Sequence, residues 1–372
     1  MISSETIHCM ALSMLLHSKP ELALELLRTA GSARAISENR RDLRTVAPEA
    51  SDKICKIVEQ MDTALQRAEA EAEFAEKHGI ACVTITDNAY PARLRDCADA
   101  PPVLYFKGNA DLNAKRVVSV VGTRHCTEYG KGLCERFTRE LAVLAPDALI
   151  VSGMAYGIDI HAHRGALSAA LPTLAVLAHG LDRIYPASHR NTAKEMLSCG
   201  GLITEFPSGT VPDKFNFVRR NRIIAGLADV TVVVESAAKG GGLITASIAQ
   251  SYGRDVCAFP GRAGDEYSAG CNNLIRNNCA QLITSAENLV EAMLWNDRAD
   301  TKAAAPRERD MFPDLTPEEQ RIIDALSGTG EKQLNILTVE TNIPVGKLMS
   351  LLFELEMRGL VKSLSGARYC LR

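Results

Sequence analysis

The stretch from Lys214 to Leu227 reads KFNFVRRNRIIAGL: a lysine, two phenylalanines, three arginines around Asn221, then an apolar run. An exposed ring is unfavourable unless something covers it, so a solvated loop rarely interleaves rings with arginines. A surface that holds single-stranded nucleic acid uses this mixture, its cations neutralising phosphates and its rings stacking on unpaired bases. The competing reading is a core loop with Phe215 and Phe217 buried and the arginines pairing with carboxylates. On this window alone both readings stand.

Other stretches suggest chemistry and then fail its spacing rules. A dinucleotide fingerprint needs GxGxxG after the first strand and an acid closing the second. VGTRHCTEYG has other spacing, and Ser152–Gly153 stands where the acid belongs. KGGGLIT is glycine-rich but has no GKT or GKS, so it lacks the lysine and hydroxyl of an ATPase loop, although its helix N-terminus suits a phosphate. In DIHAH, His161 and His163 lie two apart and point roughly 200° from each other on a helix, so a shared metal is disfavoured and Asp159 reads as a helix cap. Ser152 in VSGM is outside the GxSxG pattern, and no triad assembles. No catalytic residue, metal site or cofactor is expected. Arg124 lies just past a strand where a ligand crevice opens; its alternative is a pair with a neighbouring acid.

The elements that position these residues follow from pattern. The chain has 372 residues, room for two or three domains, with 46% apolar and 23% charged residues, as in an ordinary globular protein. A net charge of -3 means that a nucleic-acid site must be a local patch. Eleven cysteines without a CxxC pair argue against a disulfide framework or zinc ribbon and suit a reducing cytosol. No signal-peptide pattern and no long apolar run is present, and a cytoplasmic location is expected.

Residues 1–78 read as a small all-helical domain (SAM or helix-hairpin-helix-like), with PELALELLRTAG as one helix and a longer charged helix from about Ser51 to His78. Residues 79–295 alternate strands and helices: strands at Arg116–Val121, Ala148–Ser152, Thr173–Leu177, Leu202–Glu205, Asp229–Val234 and Asp255–Phe259, with a short helix at Arg222–Ala228. Near-continuous apolar strands indicate a mostly parallel, doubly wound, Rossmann-like α/β sheet. Its ligand crevice lies beyond the carboxyl ends of the strands, where the glycine-bearing turns gather. Residues 296–314 read as a linker and 315–372 as a winged helix. Its acids and bases balance and its third helix carries Lys347, Glu354, Glu356 and Arg358, so it reads as a protein contact or a weak auxiliary to DNA binding.

The blocks VVGTR, VSGMAYGIDIHAHRGAL, AVLAHGLDRIYP, GGLITEFPSG, FNFVRRNRIIAGL, VVVESAAKGGGLITASIA and VCAFPG together resemble the DNA-processing protein A (DprA/Smf) family, in order and spacing from about Tyr90 to Thr284. The resemblance implies a non-enzymatic protein of natural transformation and competence. Such a protein binds and protects incoming single-stranded DNA, forms homodimers through the Rossmann domain and loads the RecA recombinase, with single-strand-binding protein as a further partner. By motif, Arg124 contacts phosphate, while Lys214 and Phe217 supply the cation and the stacking ring. Arg219, Arg220 and Arg222 line the wall with the Lys239–Gly242 turn, including Gly240 and Gly241. The DNA-binding set also takes in Gly122, Gly153, Tyr156, Gly157, Asn221 and Thr245. The three arginines compete between phosphates and structural pairs, and Arg222, entering the apolar run, is the one least suited to DNA.

The sequence departs from the family pattern at three places. Tyr156 stands in AYGID where ARGID is common. KGGGLIT replaces SGSLIT, losing hydroxyls and gaining the charge of Lys239. Cys279 stands where glycine is common. Two rival readings remain. A lysine-decarboxylase-like nucleotide phosphoribohydrolase uses PGGxGT followed by a glutamate, which KGGGLITAS lacks; a protein adaptor would keep only a vestigial crevice.

Overall fold

The computed structural model describes residues 2–295, 315–327, 331–364 and 366–371, so the expected linker, 296–314, lies outside the described residues. The chain forms two compact units, residues 1–286 and 287–372.

The first unit opens with helices whose ends are written in the sequence. Ser3 caps α1 (Ser4–Leu15), and Pro20 starts α2 (Pro20–Ala30), which ends at Gly31 in the left-handed region, φ 80°. Short α3 (Ala33–Glu38) is capped by Ser32. The single charged helix expected over Ser51–His78 is two, α4 (Asp52–Val58) and α5 (Met61–His78), because the chain tightens where Gln60 N bonds to Ile57 O (3.1 Å). Met10, Leu12, Ile36 and Met61 pack with Val103 and Tyr105 of the sheet's edge, so these helices share a core with it.

The sheet has nine strands: β1 (Ala81–Thr84), β2 (Val103–Gly108), β3 (Arg116–Val121), β4 (Ala148–Ser152), β5 (Thr173–Val176), β6 (Gly200–Thr204), β7 (Val230–Val233), β8 (Asp255–Ala258) and β9 (Gln281–Leu282). Their order is β1-β2-β6-β5-β4-β3-β7-β8-β9. β1 pairs antiparallel with β2, and β2 antiparallel with β6; every other pair is parallel. Strands β3 to β7 are buried along their whole length, which is why they read as unbroken apolar runs. The connecting helices are α6 (Ala92–Arg95), α7 (Glu128–Leu144), α8 (Ile158–Ser168), α9 (Arg190–Met196), α10 (Lys214–Leu227), α11 (Gly241–Ser251) and α12 (Ala269–Arg276). β3 has β4 on one side and β7 on the other, so the winding reverses there and a crevice opens at the carboxyl ends of β3 and β7.

The division between the units falls after the first residue of α13 (Ala286–Ala292); the second unit contains α14 (Pro317–Leu326), with Thr316 and Glu319 forming a capping box. The strands β10 (Lys332–Gln333), β11 (Val361–Leu364) and β12 (Arg368–Leu371) make an antiparallel sheet with β12 in the middle. α15 (Leu334–Thr341) and α16 (Val345–Met357) complete a winged helix around Ile322, Leu337, Leu348 and Leu352. Its cations are largely engaged: Lys347 with Glu318 (2.6 Å), Arg358 with Glu319 (2.7 Å), Lys332 with Glu340 (2.5 Å).

The DIHAH motif lies at the start of α8. Asp159 is inside the helix and Gly157 occupies the cap, which corrects the expectation of Asp159 as the cap. His163 is fully buried. Thr173 Oγ1 donates to Ile150 O (3.2 Å) and therefore accepts from His163 Nδ1 (2.7 Å), which leaves Nε2 buried without a partner. A second proton there would be a charge without an acceptor. Burial, with Arg220 and His189 adding repulsion, holds this imidazole down at about 3. The unfolded chain, with a histidine pKa of roughly 6.5, binds the extra proton across the window between those two values, so stability falls as pH drops through it. Denaturant titrations are expected to give an unfolding free energy that declines below about pH 6.5. A His163→Leu chain, weaker near neutrality, should show a slope shallower by about one proton in that window.

Candidate nucleic-acid interface

A cleft of about 690 Å³ opens at the reversal of the sheet. Its floor and walls come from the Gly122–Arg124 turn after β3, from α8, from α10, and from the Gly240–Thr245 turn into α11. Thus Gly122, Arg124, Lys214, Phe217, Arg220, Asn221, Gly240, Gly241 and Thr245 of the expected set meet at one place.

The stretch expected to be a loop feeding a short helix at Arg222 is instead helical from Lys214. Asp213 starts it, its carboxylate accepting from Phe215 N (2.8 Å). The helix was hard to read because it has little amphipathic contrast. Every residue from Arg222 to Leu227 is buried, and so is Arg220.

Phe217 lines the cleft with its ring among two guanidinium groups and a tyrosine. The Arg124 guanidinium lies over its ring at 5.1 Å, Arg220 at 5.9 Å, and the Tyr185 ring at 5.9 Å with a 53° tilt. Arg124 and Lys214 are exposed, and among the described residues neither makes an ion pair. The alternative of Arg124 paired with an acid is therefore not what the fold adopts.

The other arginines serve the fold. Arg220 is 3% exposed; its guanidinium donates to Gly153 O (2.6 Å) and to Val176 O, at the carboxyl ends of β4 and β5. Burial pulls it down to about 10, with Asp159 holding it up. Burial pushes the Asp159 carboxyl above its usual range, with Arg220 drawing it back. A Cβ on Gly153 would come within 2.5 Å of the Arg220 guanidinium, so this glycine makes room for an arginine rather than a ligand. Gly157, at φ 77°, presses the turn before α8 against Thr123, where a Cβ would come within 2.1 Å of the carbonyl oxygen.

Arg219 and Arg222 were expected on the wall and are elsewhere. Both bond one oxygen of buried Glu205, at 2.7 and 2.6 Å, and Arg222 also donates to Asp99 O (2.5 Å). A carboxylate just past the end of β6 therefore engages both of them. Tyr156, standing where the family has arginine, is 52% exposed and packs edge-on against His189 at 5.0 Å, outside the cleft lining. Lys239 is exposed on the turn beside the lining. Sequence reasoning missed Tyr185 and Asp159 as cleft residues; the only signal was that Tyr185 lies in the segment after β5 and Asp159 in the first turn of the helix after β4.

A second cleft, about 900 Å³, lies between the start of α7 and the segment after β8. Glu128, Glu235, Asp265 and Glu266 line it against a single arginine, Arg262, which disfavours phosphate. Among the described residues no group of three histidines, cysteines or carboxylates is placed to hold a metal ion.

Residues 81–294 match the family described as DNA recombination-mediator protein A, and residues 302–367 match the DprA winged helix domain. The chain is 34% identical over 321 residues to the putative DNA processing protein DprA of Mycobacterium tuberculosis, covering 83% of this chain and 81% of that one. It is 39% identical over 207 residues to DNA processing protein DprA of Streptococcus pneumoniae, covering 56% and 72%. The X-ray structure of the S. pneumoniae protein aligns with TM-score 0.58 and 31% identity over 73% of this chain and 97% of that one. The structure of DNA processing protein A from Helicobacter pylori, described for its single-stranded DNA binding mode, aligns with TM-score 0.52 and 30% identity over 58% and 96%.

Replacing Glu205 by alanine leaves two arginines without their carboxylate, one of them buried. Chemical denaturation is expected to register a loss of about 3–5 kcal/mol. Glu205→Gln, which keeps one acceptor, should lose less.

Proposed function

We propose that this chain, which belongs to the DNA recombination-mediator protein A (DprA/Smf) family, binds single-stranded DNA in the cleft between β3 and β7 without sequence preference and without catalysing a reaction on it. One observation carries the reading: a half-buried ring, Phe217, shares the cleft lining with two exposed cations, Arg124 and Lys214, that make no ion pair among the described residues. Rings accept any base and cations any phosphate, so such a site tolerates every sequence. The uncapped start of α11 at Gly240–Gly241 adds backbone N–H groups that suit a phosphate.

A non-enzymatic role is supported by the lining. Its carboxylates already have structural tasks: Asp159 is buried under the influence of Arg220, and Asp213 caps α10. Among the described residues no single helix is long and apolar enough to cross a membrane. The family resemblance supplies the rest of the reading. The protein acts in the cytoplasm as a homodimer, protects incoming strands and loads RecA onto them during natural transformation and recombination. The winged helix, with its paired charges, contacts protein or assists weakly in DNA binding.

Anisotropy titrations of labelled oligo-dT across a salt series test the cleft. Arg124→Ala and Lys214→Ala should each weaken binding and flatten the plot of log affinity against log salt by about 0.7, one phosphate contact on a single strand. Phe217→Ala should lose about 1–3 kcal/mol with the slope unchanged. Parental affinity and slope in both cation variants would refute the site.

A further inference from the structure

The first turn of α10 carries a second ring that the cleft does not use. Phe215 is 80% exposed, and Val211 and Val218 near it are 57% and 47% exposed. With 3.6 residues per turn, Lys214 lies about 60° around the helix from Phe217, Val218 about 100° and Phe215 about 160°. Val218 lines the cleft, so apolar surface continues from the rim over Val218 to Phe215, with the exposed Lys214 between the two rings. The turn is held by the bond from Phe215 N to Asp213. Arg219, Arg220 and Arg222 are all engaged by Glu205 or by backbone carbonyls, which leaves Lys214 as the cation of this helix available to a phosphate. An aromatic ring kept in water one cation away from a stacking platform matches the alternation that a single strand follows.

We propose that the strand leaving the cleft crosses the first turn of α10, with Lys214 on a bridging phosphate and a second unpaired base stacked on Phe215. This rests on the reading of the cleft as a single-strand groove. The two rings face opposite sides of a helix about 10–12 Å across, so the strand must span that width and the effect of Phe215 depends on oligonucleotide length.

The test is an oligo-dT series from about three to about sixteen nucleotides, titrated against the full chain. Phe215→Ala should bind the shortest oligomers as the parent does and the longer ones about tenfold more weakly, the order expected for one lost stack. Phe215→Tyr should keep the parental affinity at every length, and Phe215→Leu, apolar but not planar, should behave like alanine. Thermal unfolding of these variants should match the parent, since the side chain is in water. Parental affinity of Phe215→Ala at all lengths overturns the proposal, as does parental affinity of Phe215→Leu for the longer oligomers. So does a loss of self-association in sedimentation with DNA affinity intact, which assigns the patch to a second copy. Phe217→Ala and Lys214→Ala separate the two readings. If both leave binding untouched the groove itself fails; if both weaken it while Phe215→Ala does not, the second platform alone fails.

Discussion

Arg220 places a guanidinium where water hardly reaches, and much of the cleft is arranged around meeting its needs. An unpaired buried charge costs several kcal/mol, so its N–H groups must find acceptors. The carboxyl ends of β4 and β5 supply two, Gly153 O and Val176 O, both to Nη1, while Nε stays buried without a hydrogen-bond partner. That contact requires glycine at 153 and ties α10 across the ends of two strands. It also favours a carboxylate nearby, Asp159. Phe217, one turn earlier on α10, has its ring in contact with the same guanidinium. The Phe217 ring, the proposed stacking platform, is therefore positioned by the arginine that solves a burial problem, on a helix and not on a loop.

A second carboxylate completes the arrangement. Glu205, at the end of β6, takes Arg219 and Arg222 on one oxygen and so holds the opposite side of α10. Between them, Arg220 and Glu205 fix the helix from two directions. The three arginines of the RRNR run, which composition presents as a basic patch, are largely neutralised inside the fold. What remains to attract phosphate is small and local, Arg124 and Lys214 at the cleft with Lys239 beside it. With a net charge of -3, the proposed hold on DNA must rest on such a patch, where a cleft lined by one sign of charge focuses its field.

The sheet was legible from sequence because its strands are buried on both faces. Arg116–Val121 and Ala148–Ser152 come out with the same bounds in the structure, since an apolar run flanked by turns has few alternatives. The cleft's location followed from topology alone. α10 was misread because its periodicity is erased when nearly all of its last two turns are buried, and its cap, Asp213, precedes aromatics rather than an apolar stripe. The division of labour among the arginines was illegible for a different reason. Arg219 and Arg222 choose Glu205, 14 and 17 residues away in sequence, through tertiary contacts that no local window contains. Tyr156 was likewise ambiguous, because whether a ring enters a cleft depends on what it packs against, here His189.

Arg124 over Phe217 gives the cleft a specific energetic character. A cation–π contact at a solvent-accessible site is worth about 0.5–1 kcal/mol, whereas a base stacked on a ring contributes about 1–3 kcal/mol. In the proposed complex a base arriving on Phe217 offsets the loss of that contact and releases the guanidinium toward the phosphate beside it. The exchange keeps the ring covered and the charge engaged before and after binding, so neither group waits in an unfavourable state. It also explains why the cation belongs on the Gly122–Arg124 turn. From the positions of α10 that follow Phe217 it would be drawn to Glu205 or the strand carbonyls, as the three arginines there are. From the end of β3, pressed in place by Gly157, it reaches the ring while remaining free of carboxylates.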